Sequence, residues 1–141
     1  EADRIADRAD VEGVSLTVTV EQVRVNASRK DLRLALRNLL ENALEYTPAG
    51  GTVTISTGVD GDKGVMAVAD TGLGIPRRDI SRIFERFYRV DDARNRDTGG
   101  TGLGLAIVRN VADMHGGTVT VESELGVGST FTIRLPLRDT K

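Results

Sequence analysis

The placement of 16 glycines, set against only 3 prolines, constrains this 141-residue chain more than any other feature. A flexible linker would spread them evenly, but here they gather at positions 72, 74, 99, 100, 102 and 104. The first group follows an apolar run that ends in Asp70, and the second runs directly into an amphipathic stretch. Both therefore lie at junctions between regular elements, where backbone N–H groups are free to meet a ligand.

The hydrophobic pattern around these junctions is that of an α+β domain. Val14 to Val20 and Val23 to Val25 alternate apolar and polar residues, which predicts a short antiparallel strand pair. Ser28 and Asp31 have the S-x-x-D spacing of a helix start. Leu32, Leu36, Leu39, Leu40 and Ala43 then recur at helical spacing, predicting a helix from Arg29 to Glu45 that Pro48-Ala49-Gly50-Gly51 stops. Thr52 to Ser56 and Val65 to Asp70 read as a hairpin around Asp60-Gly61-Asp62. A short helix is expected near Arg78 to Phe84, followed by the polar stretch Val90 to Thr98 with too few apolar residues to pack. Leu103, Ile107, Val108 and Val111 form a second long helical stripe ended by Gly116-Gly117, and Thr118 to Ser123 and Ser129 to Leu135 close the chain as another hairpin. Two long helices, one short one and about six strands make a two-layer α/β sandwich, with a mixed, mostly antiparallel sheet covered on one face by helices.

Composition narrows the function. At 39% hydrophobic and 28% charged the chain can bury a core. No stretch reaches the roughly 18 apolar residues of a membrane span. Nineteen Lys and Arg against 21 Asp and Glu leave a formal charge of −2, which lacks the basic face that nucleic-acid binding requires. With no cysteine and one histidine, His115, thiol chemistry, thiolate sites and multi-histidine zinc centres are excluded, so a divalent ion would sit on oxygen ligands. Residues 1–10 suit either a solvated tail or the end of a helix that continues upstream.

Asn38 and Asn42 fall one turn apart on one face of the first long helix, with Glu45 and Tyr46 on the same arc. Asparagine is a poor helix-interior residue, so the pair either binds a neighbouring loop or serves a ligand. Asp70 precedes Thr71-Gly72-Leu73-Gly74-Ile75-Pro76. A carboxylate there can accept from a base amine, with the glycines admitting a flat ring, or it can cap its own loop. Gly99-Gly100-Thr101-Gly102-Leu103-Gly104 at a helix start presents N–H groups to an anion, yet has neither the P-loop ending nor the dinucleotide spacing. Phe84-Glu85-Arg86-Phe87-Tyr88-Arg89 reads as an aromatic anchor with Arg89 able to face phosphate.

In this order Asn38-Leu39-Leu40-Glu41-Asn42-Ala43, Asp70-Thr71-Gly72-Leu73-Gly74-Ile75, Phe84 to Arg89 and Gly100 to Leu105 resemble the N, G1, F and G2 boxes of bacterial sensor histidine kinases. His115-Gly116-Gly117 and Gly128-Ser129-Thr130-Phe131 match as well. Four ordered boxes are far more specific than any one of them. The resemblance implies a catalytic ATP-binding domain of the Bergerat (GHKL) fold over residues 14–137, with 1–13 the end of an upstream helix or linker and 138–141 a tail.

By that resemblance Asn42 ligates Mg²⁺ and Asn38 assists with metal or phosphates. Asp70 takes the adenine amine, with Gly72, Gly74, Ile75, Tyr46 and Ser129 lining the pocket. Gly100, Thr101, Gly102, Leu103 and Gly104 approach the phosphates, Arg89 reaches the γ-phosphate and residues 90–99 form a lid. Glu41 is a candidate base, although helix geometry turns it about 100° from Asn42. The γ-phosphoryl group of ATP passes to a histidine on a separate hairpin, so catalysis is mainly positioning and charge neutralisation. His115, after the second helix, is structural by this pattern, and the chain does not phosphorylate itself.

Glu45 departs from the family, which often has Lys there, leaving Arg89 and Mg²⁺ more phosphate charge to balance. Asn38 replaces the water-activating Glu of gyrase-type, Hsp90-type and MutL-type ATPases, favouring transfer over hydrolysis. A serine kinase of the anti-sigma-factor type shares the same implied fold, and Glu45 keeps open a non-catalytic nucleotide sensor. The implied setting is a cytoplasmic domain, monomeric alone, of a dimeric membrane-anchored kinase acting on a response regulator.

Overall fold

The computed structural model describes residues 13–25, 27–85 and 104–137. Its elements are β1 (Ser15–Thr19), α1 (Arg29–Tyr46), β2 (Thr52–Asp60), β3 (Lys63–Asp70), α2 (Arg77–Ile80), α3 (Gly104–Met114), β4 (Thr118–Glu124) and β5 (Gly128–Pro136). The described strands form a five-stranded sheet in the order β1-β2-β3-β5-β4. β1 runs parallel to β2 and the other neighbours are antiparallel, giving the mixed, mostly antiparallel sheet that the sequence pattern predicts.

α1 begins as the Ser28 signal predicts. The Ser28 side chain accepts from the Asp31 N–H, satisfying one of the donors that a helix start leaves open. At the other end the Thr47 hydroxyl donates to the Ala43 carbonyl at 2.6 Å, and Pro48 follows. The apolar stripe of α1 (Ala35, Leu39, Leu40, Ala43) and that of α3 (Val108, Val111, Ala112) close over Val53, Ile55, Val68, Phe131, Ile133 and Leu135 of the sheet. Phe84 meets Phe131 edge to face, with ring centroids 6.1 Å apart, so this part of the aromatic cluster is an anchor in the core.

Three elements differ from expectation. Val14 to Val20 and Val23 to Val25 do not pair with one another: β1 lies parallel to β2, and Val25 makes an isolated antiparallel bridge to Leu137. Parallel neighbours need a long crossover, which α1 supplies, and strand alternation alone cannot distinguish that from a local hairpin. The chain is held in passing by Thr57, whose hydroxyl accepts the Glu21 N–H and donates to the Glu21 carbonyl. The β2–β3 hairpin is longer than its apolar core, reaching Asp60 opposite Lys63 because backbone pairing carries through Gly58 and Asp60, which are poor strand formers. The short helix stops at Ile80, after which Arg82 and Glu85 donate to Asp79 and Arg82 in successive i to i+3 turns.

Leu39 is fully buried where α1 crosses the sheet. Leu39→Ala is expected to cost about 2–5 kcal/mol, read as a lower urea midpoint with an unchanged slope.

Candidate functional site

The arc carrying Asn38, Asn42 and Tyr46 runs down the C-terminal half of α1, beside the main apolar stripe. The Asn38 amide donates to the Leu34 carbonyl of its own helix at 2.8 Å, which fixes the side chain and turns its oxygen outward. That oxygen lies 3.1 Å from where a Cβ on Gly104 would stand. The N-terminal turn of α3 thus packs directly onto Asn38, bringing together residues 66 positions apart in the sequence. One turn further on, Asn42 is half-buried, and among the described residues no hydrogen bond holds its carboxamide. Glu41 faces elsewhere: Arg37 donates to its carboxylate at 3.1 Å on the exposed side of the helix.

Asp70 ends β3, the central strand of the sheet, and is only 8% exposed. Its Oδ1 accepts the N–H of Gly72 at 2.9 Å and the N–H of Ser129 at 3.2 Å. Among the described residues Oδ2 accepts no hydrogen bond. Burial pushes the Asp70 carboxyl above its ordinary range, against the opposing pull of the Gly72 and Ser129 N–H groups. Among the described residues, the carboxylate thus has one oxygen committed to the fold and the other left for a donor.

Backbone crowding explains the glycines after Asp70. A Cβ on Gly72 would strike the Tyr46 carbonyl oxygen, which accepts the Leu73 N–H at 3.1 Å. Gly74 has φ +75°, and a Cβ there would strike the Glu124 carbonyl at the end of β4. These glycines clamp the loop between the end of α1 and the far hairpin, so the space a ring was expected to use on their Cβ side is filled by the protein's own backbone.

The sequence pattern does not single out Ser123. Its hydroxyl accepts the Ile75 N–H at 2.7 Å, donates to the Gly128 carbonyl at 3.0 Å and lies 2.7 Å from the Ser129 hydroxyl. With the Ser123 proton on Gly128, the Ser129 hydroxyl is the donor of the pair. Ser123 thereby ties the loop after Asp70 to the strand that supplies the Ser129 N–H. Its one signal is its place in the inward row of β4, where Ser123 follows Val119 and Val121.

The structure therefore brings together Asn38, Asn42 and Gly104 along α1 and α3, and Asp70, Gly72, Gly74, Ile75 and Ser129 where β3 and β5 meet the loop beneath the end of α1, joined to that helix through the Tyr46 carbonyl. Arg89, Gly100, Thr101, Gly102, Leu103 and the 90–99 segment lie outside the described residues. Among the described residues no group of three or more acidic or histidine side chains is placed to hold a metal.

Residues 27–139 match the family of histidine kinase-, DNA gyrase B- and HSP90-like ATPases, and the chain belongs to that family. Within it, the chain is the catalytic ATP-binding domain of the sensor histidine kinase type. It is 49% identical over 131 residues to the sensor-like histidine kinase SenX3 of Mycobacterium tuberculosis, covering 93% of this chain and 32% of that protein. It is 43% identical over 117 residues to the sensor histidine kinase WalK of Bacillus subtilis, covering 82% of this chain and 19% of that protein. Among solved structures, the mycobacterial sensor histidine kinase MprB superposes with a TM-score of 0.85 at 33% identity, over 99% of this chain and 92% of that one. Full-length ShkA in complex with AMPPNP gives 0.84 at 34% identity, over 99% and 29%. The chain thus spans about a third or less of the length of SenX3 and WalK. No helix among the described residues is long and apolar enough to cross a membrane.

The raised Asp70 pKa makes a prediction about stability. A carboxyl whose folded pKa exceeds its unfolded one favours folding below the unfolded pKa and loses that contribution as pH rises through the folded value. Ionised Asp70 therefore works against folding at neutral pH. Asp70→Asn keeps an oxygen for both N–H donors, so its urea midpoint at neutral pH is expected to equal or exceed the parent's. That advantage should shrink as the medium is acidified into the carboxylate range, as urea melts at a series of pH values would read.

Proposed function

We propose that this domain binds Mg²⁺-ATP and presents its γ-phosphoryl group to a histidine on a separate helical hairpin. The observation that carries the reading is Asp70: a buried carboxylate with one oxygen held by two backbone N–H groups and the other open to a donor, as the exocyclic amine of adenine would require. The ShkA structure, which holds an ATP analogue on a similar chain, supports the choice of nucleotide.

Asn38 and Asn42 are the groups suited to the phosphate end. Mg²⁺ prefers oxygen ligands and keeps much of its coordination for phosphates and water, so a single carboxamide oxygen suffices from the protein. Asn42, with its amide uncommitted among the described residues, fits that role, and Asn38 orients beside it against Gly104. When bound, the ion neutralises charge on the phosphates. Arg89 and the segment from Gly100 to Leu103 are assigned to the phosphates by the same reading, with residues 90–99 as lid.

In the transfer, the bond from the γ-phosphorus to the bridging oxygen breaks as a histidine nitrogen bonds phosphorus, and ADP leaves. The chain's part is to hold the nucleotide and aim it. Asn38 supplies an amide rather than a carboxylate, so no residue at that position activates water. Glu41, paired with Arg37 on the exposed side of α1, is assigned the role of base. The domain spans residues 14–137, and its setting is a dimeric, membrane-anchored kinase whose downstream partner is a response regulator.

Calorimetry with ATP, with and without Mg²⁺, tests binding; transfer of labelled phosphate to a separately supplied hairpin tests the reaction. Binding without transfer would favour a nucleotide sensor, and steady phosphate release without a partner would favour an ATPase. Asn42→Ala is expected to remove most of the Mg²⁺ dependence of ATP binding in the same calorimetry. Asp70→Asn is expected to weaken discrimination of ATP over GTP by roughly 1–3 kcal/mol, the cost of an unsatisfied buried polar group. Unchanged selectivity in competition titrations would refute the adenine assignment.

A further inference from the structure

His115 stands at the C-terminal cap of α3. Gly116 follows with φ +70°, its N–H reaching the Asp113 carbonyl at 3.3 Å and the Gly117 N–H reaching the Ala112 carbonyl at 2.8 Å. These paired bonds form a Schellman closure that turns the chain back and fixes the residue before Gly116. The imidazole is 13% exposed and spans two helices. Its Nδ1 lies 2.7 Å from the Val111 carbonyl oxygen, which can only accept, so Nδ1 carries the proton. Its Nε2 then has a lone pair, and the Ser28 backbone N–H donates to it at 3.3 Å.

Ser28 is the N-cap of α1, and Asp31 is the third residue of that helix. In a reciprocal capping box the N-cap hydroxyl accepts from the third residue's N–H, while the third residue's side chain accepts the N-cap N–H. Here only the first half is local: Ser28 Oγ accepts from Asp31 N at 3.3 Å. The Asp31 carboxylate does not take the Ser28 N–H. It lies 3.7 Å from His115 Nε2, beyond hydrogen-bond distance, and the imidazole takes that N–H in its place.

We infer that neutral His115, as its Nδ1–H tautomer, completes the N-terminal capping box of α1 from the C-terminal cap of α3 and so positions the two helices that carry Asn38 and Gly104. The link joins one end of the antiparallel pair, and the Asn38–Gly104 contact joins the other. With both ends held, α3 cannot slide along α1 without breaking a cap. The asparagine face thereby stays in register with Gly104. His115 touches neither nucleotide nor metal in this arrangement, and acts as a positioning residue through the Ser28 N–H. Its effect on nucleotide binding rests on the function proposed above, whereas the cap link itself does not.

The test combines imidazole ¹⁵N spectra of the chain with amide exchange at Ser28 and Mg²⁺-ATP calorimetry on the parent, His115→Leu and His115→Gln. Leucine keeps apolar bulk and removes both bonds; glutamine can return an acceptor near the place of Nε2. The expected results are an Nδ1–H tautomer in the parent, and faster Ser28 exchange with ATP affinity about three- to tenfold weaker in His115→Leu, the loss of about one hydrogen bond. Partial recovery of both is expected in His115→Gln. An Nε2–H tautomer, or Ser28 exchange unchanged in His115→Leu, would overturn the cap link. Faster exchange with unchanged ATP affinity would overturn the positioning role. Should His115→Leu fail to fold, the parent's tautomer and the glutamine variant's exchange still decide the link. A parent that binds no ATP would instead refute the proposed function, with the tautomer and exchange results still judging the cap.

Discussion

A single buried carboxylate oxygen holds the site end of this molecule together. Asp70 Oδ1 gathers the N–H of Gly72 from its own loop and that of Ser129 from the adjacent strand, joining β3, β5 and the loop that runs under α1. Burial raises the energy of the charged form, and the two backbone donors only partly offset it. A group held in that condition costs the fold stability at neutral pH, which points to a use beyond folding. The second oxygen, uncommitted among the described residues, is the one the proposed function assigns to the nucleotide.

The surrounding contacts keep this carboxylate from relaxing. The Tyr46 carbonyl closes over Gly72 and accepts from Leu73, so the end of α1 fixes where the loop can go. Ser123 grips Ile75 on the other side and leans on Ser129. Along α1 the same helix delivers Asn38 and Asn42, while α3 abuts Asn38 through a residue with no side chain. The phosphate end of the proposed pocket thus lies along α1, and the base end is tied to the same helix through the Tyr46 carbonyl, so the helix's rise of about 1.5 Å per residue sets their spacing. The His115 cap adds the second tether that keeps α3 aligned with that ruler.

Most of this was legible where a local signal coincided with its long-range use. Ser28 and Asp31 announced the start of α1, and its leucine stripe announced the buried face, because capping and amphipathicity depend on neighbours in sequence. The positions of Asp70 and the asparagine pair followed from residues that regular structure does not favour in those places. The partner of β1 was not legible, since alternation marks a strand but not its neighbour, and a parallel pair is decided by the crossover helix. The reasons for Gly72 and Gly74 were equally hidden: each is small because of backbone from a distant element, Tyr46 and Glu124, and no local pattern reports that approach. His115 looked merely structural for the same reason, as its Ser28 contact lies 87 residues away.

The most direct measurement compares ATP with inosine triphosphate on the unmodified chain by calorimetry in Mg²⁺. The two nucleotides share ribose and phosphates and differ at the purine edge assigned to Asp70, where inosine replaces the amine with a carbonyl. If Asp70 reads that amine, ATP binds at least about tenfold tighter, since a carbonyl facing the carboxylate leaves both acceptors unpaired. Equal affinities would contradict the assignment of Asp70 and, with it, the pocket built around it.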